Sequence, residues 1–267
     1  MDQDNCTHDC ASCGEDCSDK IEDNIDEDAL HHLSAVKKAV LVASAKGGVG
    51  KSTVTAKLAC ELAKQGKSVG ILDASMSASS INIIFGIDRS PEIIKGGIYP
   101  VKTDLGIQAI SFPLLTGNSS APLFWDGNKS ATFARQLWTD VIWENIEILL
   151  IDTPSDTADI TQAYFKNEHI QDVLIITEPT ELSALVTSRT INYAKMNHLN
   201  ILGLIENKTE ESAQSKAVKE LTDNFELTLL DRVPFDAKLN DAANDGTIES
   251  YERSFFPNTI SLLIQDI

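Results

Sequence analysis

"VLVASAKGGVGKSTVTA", residues 40–56, runs as a strand, a glycine-rich turn and a helix. The apolar, β-branched stretch "KAVLVAS" from Lys38 has the composition of a fully buried strand. "KSTVTAKLACELAKQG" has helical spacing and ends at Gly66, placed as a C′ glycine. Between them the usual phosphate-loop pattern G-x-x-x-x-G-K-[ST] holds at every position but the first, which is Ala45. Gly47, Gly48, Val49 and Gly50 let backbone N–H groups close on phosphate oxygens, and the helix start adds its partial positive charge. Lys51 is expected to reach the β- and γ-phosphates, with Ser52 as a Mg²⁺ ligand and Thr53 completing the loop. A glycine-rich turn with an incidental lysine is the plainer reading, and the flanking strand and helix argue against it.

Working outward, further apolar runs follow: "KSVGILDA", "LGIQAISF", "IEILLID", "QDVLIIT", "ILGLIEN" and "ELTLLDRVP". Helical candidates separate most of them, at about 128–142, 158–167, 181–196, 210–224 and 236–245. Continuous apolar strands alternating with amphipathic helices predict an α/β fold, a mostly parallel sheet with helices on both faces. Ligands of such sheets bind beyond the carboxyl ends of the strands. Asp152 ends "IEILLID" and Asp73 ends "KSVGILDA", so both are expected to face the phosphate loop. Asp152 has the position of a Mg²⁺-holding carboxylate, directly or through water, with helix capping as the alternative.

The chain has 267 residues and a net charge of -18. Residues 1–30 hold eleven carboxylates against Lys20, a balance of -10, which leaves -8 for the rest. Neither part suits a phosphate backbone or an anionic membrane surface, so nucleic-acid and membrane partners are not expected. No apolar run approaches the ~20 residues of a membrane helix, and the acidic start lacks a signal-like core, so the expected location is cytoplasmic. The division expected is an acidic, cysteine-rich tail over 1–35 and a P-loop ATPase domain over 36–267. The tail places Cys6, Cys10, Cys13 and Cys17 in "CTHDCASCGEDC", spaced C-x3-C-x2-C-x3-C. In a reducing compartment four clustered thiols point to an iron–sulfur cluster or zinc, with redox chemistry as a third reading. His8 is a weak further ligand candidate. Cys60, on the helix after the loop, is expected to be a small core residue.

With Lys46 ahead of the glycines, K-G-G-x-G-K-[ST] resembles the deviant P-loop of the superfamily containing MinD, ParA, the nitrogenase iron protein and the Mrp/ApbC ATPases. That resemblance implies that Lys46 reaches across a homodimer that sandwiches ATP, touching the facing subunit's phosphates. It implies that Asp73 orients or deprotonates the attacking water. Asp156, four residues past Asp152, is similar to a switch-II aspartate or else caps the following helix. Asn207 is implied to contact the adenine, with Pro234 lining the base pocket.

Residues 110–159, with Trp125 and Gly127 matching a Trp-x-Gly pair, resemble the Mrp/ApbC branch, whose members carry or assemble iron–sulfur clusters. The resemblance spans about residues 38–250. It departs at three places. "ENKTEESAQSK" lacks the C-P-x-C motif that bridges a cluster in that branch. "DASMSASS" puts Ser75 where a second acid is usual. "DTPSDTAD" replaces "DTPPGTGD". The reading is therefore a slow MgATP-hydrolysing iron–sulfur carrier or assembly scaffold, serving client or donor proteins, with its cluster on the N-terminal thiols. The rivals are a ParA/MinD-like partitioning or positioning ATPase, and a non-catalytic nucleotide-gated module with a zinc-binding tail.

Overall fold

The structure is a computed structural model that describes residues 29–76, 79–117, 127–155, 159–210, 215–265 and 267. The strands are β1 (Val36–Ala43), β2 (Val69–Asp73), β3 (Glu92–Ile94), β4 (Gly97–Tyr99), β5 (Val101–Lys102), β6 (Gln108–Ser111), β7 (Ile146–Asp152), β8 (Asp172–Thr177), β9 (Asn200–Thr209) and β10 (Leu229–Pro234). The helices are α1 (Lys51–Lys64), α2 (Ile81–Ile84), α3 (Phe112–Thr116), α4 (Gly127–Thr139), α5 (Asp159–Phe165), α6 (Glu181–Met196), α7 (Lys216–Phe225), α8 (Ala237–Asn244) and α9 (Pro257–Gln265). Eight strands form one sheet in the order β10-β9-β8-β1-β7-β2-β6-β5. All neighbours are parallel except β5, which runs antiparallel to β6. The mostly parallel sheet is as the sequence predicts. The β3–β4 hairpin and β5 are too short to leave a periodic signal.

Both faces are covered because successive strand residues point to opposite sides. Val40 and Val42 of β1, with Ile148 and Leu150 of β7, pack in one core with Val54, Leu58 and Leu62 of α1 and Ile260 of α9. Leu41 and Ala43, with Leu149 and Ile151, pack in the other with Trp138 of α4 and Ile191 of α6. Cys60 lies in the first core, fully buried, where the sequence places it, and burial pushes its thiol up to about 12.

Two features hold the ends of the described chain. Ser34 Oγ donates to Val141 O (2.9 Å) and accepts from Trp143 N (2.9 Å), and Ala35 N donates to Trp143 O (2.9 Å). Residues 34–35 are thus already fastened to the body. At the other end, the buried Glu61 carboxylate on α1 accepts from the backbone N–H groups of Phe255 (3.0 Å) and Phe256 (3.3 Å). Lys57, one turn earlier, pairs with Glu61 (3.3 Å) and donates to Tyr251 O (3.2 Å). Burial holds the Lys57 ammonium below the ordinary lysine range, with Glu61 opposing that shift.

α7 starts later than its sequence periodicity suggests. β9 continues to Thr209, which pairs with Pro234, and the helix begins only after Ser215, whose side chain accepts from Val218 N.

Candidate nucleotide-binding site

The phosphate loop joins β1 to α1, and β1 lies between β7 and β8. Gly48 and Gly50 have φ of 81° and 82°, the left-handed region that glycine enters without strain. A Cβ on Gly50 would also stand 2.5 Å from Asn207 Nδ2, so this position excludes side chains twice over. The backbone at Ala45 does not take a positive φ. That explains how the loop tolerates alanine where the usual pattern has glycine.

At the loop's exit, Lys51 Nζ donates to Asp152 Oδ1 (2.5 Å) and Ser52 Oγ to Asp152 Oδ2 (2.5 Å). Thr55 Oγ1, one helical turn on, also donates to Asp152 Oδ1 (3.1 Å). Asp152 is fully buried at the end of β7, so an ammonium and two hydroxyls balance a carboxylate that has left water. A hydroxyl and a carboxylate side by side form a hard oxygen pair of the kind that holds Mg²⁺ beside phosphates. A cleft of about 410 Å³ opens above them, bordered by Lys46, Gly48–Thr53, Ser75 and Pro154 among others.

Asp73 ends β2 beside Asp152, its register partner. Its carboxylate is buried and accepts four hydrogen bonds: from Ser75 N (2.9 Å), Ser79 Oγ (2.7 Å), Ser80 N (3.1 Å) and Ile81 N (3.2 Å). It therefore shapes the turn into α2. Burial first, and the neighbouring Asp152 charge second, push its carboxyl up to about 6.

Lys46 is held within its own chain. Its Nζ lies 2.6 Å from Glu178 Oε2, just past the end of β8. Glu178 Oε1 takes a second ammonium, that of Lys208 (3.0 Å), which also donates to Gly48 O (2.5 Å). Asn207 Nδ2 donates to Val49 O (2.6 Å), so β9 touches the loop at two consecutive residues. Pro234 ends β10, three strands out from β1, and borders a separate shallow cleft with Arg232, Arg253 and Phe255. The structure thus brings Gly47–Thr53, Lys46, Asp152, Asp73 and Asn207 together, with Pro234 one residue past Val233, the register partner of Asn207. Asp156, Trp125 and the four tail cysteines lie outside the described residues. Among the described residues no cluster of three or more His, Cys, Asp or Glu is placed to hold a metal.

Sequence reasoning missed Thr55, Glu178 and Lys208. Glu178 had a usable signal: like Asp73 and Asp152, it is an acid at the end of an apolar strand, "QDVLIIT". Thr55 and Lys208 had none beyond their spacing from Lys51 and Asn207.

The comparisons with known proteins agree with this geometry. A family model described as NUBPL iron-transfer P-loop NTPase matches residues 35–267. An iron-sulfur cluster carrier protein of Methanococcus maripaludis is 34% identical over 261 residues, covering 90% of this chain and 89% of its own. A protein of the same description from Methanocaldococcus jannaschii is 35% identical over 231 residues, covering 80% and 78%. Among solved structures, a nucleotide-binding protein of Archaeoglobus fulgidus in complex with ADP matches with a TM-score of 0.70 and 32% identity, over 82% of this chain and 90% of that one. The cell division ATPase MinD of Pyrococcus furiosus shares the fold, with a TM-score of 0.63 at 20% identity, over 86% and 98%. With its P-loop, its buried Lys51–Asp152 pair and these relatives together, the chain belongs to the NUBPL iron-transfer family of P-loop NTPases.

Proposed function

We propose that this protein is an iron–sulfur cluster carrier that binds MgATP, hydrolyses it slowly, and couples nucleotide state to loading or release of a cluster. The observation that carries the reading is the convergence of Lys51, Ser52 and Asp152 within 2.5 Å at the mouth of a phosphate loop. The family match and the carrier relatives support the cluster as cargo. Lys51 would neutralise the terminal phosphates, while Ser52 and Asp152 would hold Mg²⁺, which would supply further charge neutralisation on the phosphates. Asn207 would contact the base, and Asp73 or Asp156 would position the attacking water. Two copies would close around the nucleotide, each offering Lys46 to the other. Cys6, Cys10, Cys13 and Cys17 would hold the cluster, since the described residues offer no alternative cysteine set.

The test is anaerobic reconstitution of the full chain and of a variant with all four tail cysteines changed to serine, with iron, sulfide and zinc analysis. MgATP binding is followed by calorimetry on both. Iron and sulfide in the full chain only, with equal MgATP affinity in the two, is the expected result. Equal cluster content in both would overturn the tail assignment, and zinc alone would make the tail a structural metal site.

A further inference from the structure

Glu178 holds two lysines of the site at once. Its side chain is only 12% exposed, and each oxygen takes one ammonium: Lys46 at 2.6 Å and Lys208 at 3.0 Å. The acid sits on a turn that is itself fixed. Glu178 N donates to Ser183 Oγ (3.0 Å), Ser183 N donates to the N-cap Thr180 Oγ1 (3.1 Å), and Thr177 Oγ1 is hydrogen-bonded to the hydroxyls of Ser183 (3.1 Å) and Thr187 (3.0 Å). Lys208 is aimed with equal care. It is the unpaired extra residue of a β-bulge, between Asn207 opposite Val233 and Thr209 opposite Pro234, and it has a φ of 57° that lysine seldom adopts. Burial pushes the Glu178 carboxyl up, but the hydrogen bonds and charges of Lys46 and Lys208 outweigh that and hold it below the usual carboxylate range.

Resting on the ATP-sandwich reading above, we infer that Glu178 is an intramolecular latch for Lys46. A lysine held against Glu178 of its own chain has its charge engaged there, so on this reading dimer closure exchanges the carboxylate for a phosphate at Lys46. The second lysine makes the exchange inexpensive: when Lys46 leaves, Lys208 still balances the nearly buried acid, so no orphaned charge remains. The bound nucleotide supplies the competing anion, which makes closure conditional on a triphosphate. The latch also keeps Lys46 from pairing with stray anions in the nucleotide-free protein.

Two measurements on the full chain test this, with wild type, Glu178→Gln, Lys46→Ala and the double variant. Glutamine keeps the shape and removes the charge. In the nucleotide-free protein, acetylation by limiting acetic anhydride is read at Lys46 by peptide mass spectrometry, relative to the exposed Lys216. Loss of the anion should raise Lys46 labelling several-fold, because the amine is then no longer held against a carboxylate. In sedimentation velocity with MgATP, the Glu178→Gln dimer should form at about 3- to 10-fold lower protein concentration, the range for a partly exposed, charge-assisted pair. That gain should vanish in the Lys46→Ala background. Unchanged labelling overturns the latch whatever the dimer does. Raised labelling with an unchanged dimer midpoint overturns the latch and leaves the sandwich standing. Bound MgATP with no dimer in any variant overturns both.

Discussion

At the scale of single residues, the site is organised by where charge is buried. Lys51 is 6% exposed and Asp152 is fully buried, so each depends on the other. Lys51→Ala leaves Asp152 with two hydroxyls and no cation. We expect it to abolish MgATP binding in calorimetry and to lower stability by about 2–4 kcal/mol in urea unfolding. Unchanged nucleotide affinity would refute the phosphate-loop assignment. Asp73 makes a separate prediction, through pH. Its carboxyl is raised to about 6 from an ordinary value near 3.8. The folded protein therefore holds this proton more tightly than the unfolded chain. Stability contributed by Asp73 is fully present below pH ~4 and is lost as pH rises through ~6. Asp73→Asn cannot titrate. Its unfolding free energy relative to wild type should therefore rise by up to ~3 kcal/mol between pH 4 and pH 7, at about 1.4 kcal/mol per unit. A flat difference across that range would show that the buried carboxyl is not raised. The constant offset reports something else: asparagine keeps one acceptor oxygen, so either Ser75 N–H, bonded to Oδ1, or Ser80 and Ile81 N–H, bonded to Oδ2, lose theirs.

Between elements, α1 does more than start at the phosphate loop. Its second and third turns grip the C-terminal segment through Lys57 and Glu61. The N–H groups of Phe255 and Phe256 have left water, and the Glu61 carboxylate is their acceptor. Glu61→Ala would orphan both and leave Lys57 buried without its counter-ion. A cost of about 3–5 kcal/mol is expected in urea unfolding, with Glu61→Gln costing less because it keeps an acceptor. A loss below 1 kcal/mol would mean that the C-terminal segment is held by its aromatic packing alone. The packing is substantial: Phe255, Phe256, Ile260 and Leu263 all enter the α1-side core. α7 shows how one element displaces another. Pairing of β9 with β10 extends the strand to Thr209, and the helix has to wait for Ser215 to cap it. Glu206 steadies that junction by accepting from Ser215 N (3.1 Å) and Arg232 Nε (2.9 Å).

For the whole molecule, the described residues form one eight-stranded sheet with a core on each face, beside the β3–β4 hairpin, and none of their helices is long and apolar enough to cross a membrane. The acidic, thiol-bearing segment precedes this body in the sequence, and Ser34 and Ala35 are already in contact with the body. Ser34 and Ala35 bond to Val141 and Trp143, Ile146 N donates to Ala35 O (2.7 Å), and Leu30 packs on the α4-side core. Two truncations separate the roles. Removing residues 1–28 should eliminate iron and sulfide from reconstituted protein while leaving the melting temperature within about 1 °C. Removing residues 1–35 should eliminate them as well and also lower the melting temperature by several degrees, since it strips hydrogen-bond partners from the backbone groups of Val141, Trp143 and Ile146. Equal melting temperatures for the two truncations would show that the Ser34–Ala35 contacts contribute nothing. Retained iron in either would move the cluster off the tail cysteines.

Much of this was written locally in the chain. Residues 40–43 and 148–151 are apolar on both alternations, so a strand covered on both faces was readable from them. The glycines of residues 47–50 announced a phosphate loop because backbone conformation is a local property. Asp152 and Asp73 were legible for the same reason, as carboxylates where apolar strands stop. What a side chain touches was not local. Lys46 meets Glu178 only because β8 was placed beside β1, and Lys208 joins them only because a bulge in β9 turns it back toward Gly48. Strand order and bulge position arise from the packing of the whole sheet. Periodicity along the chain can therefore determine where the site's strands end, and only the tertiary structure decides which charges meet there.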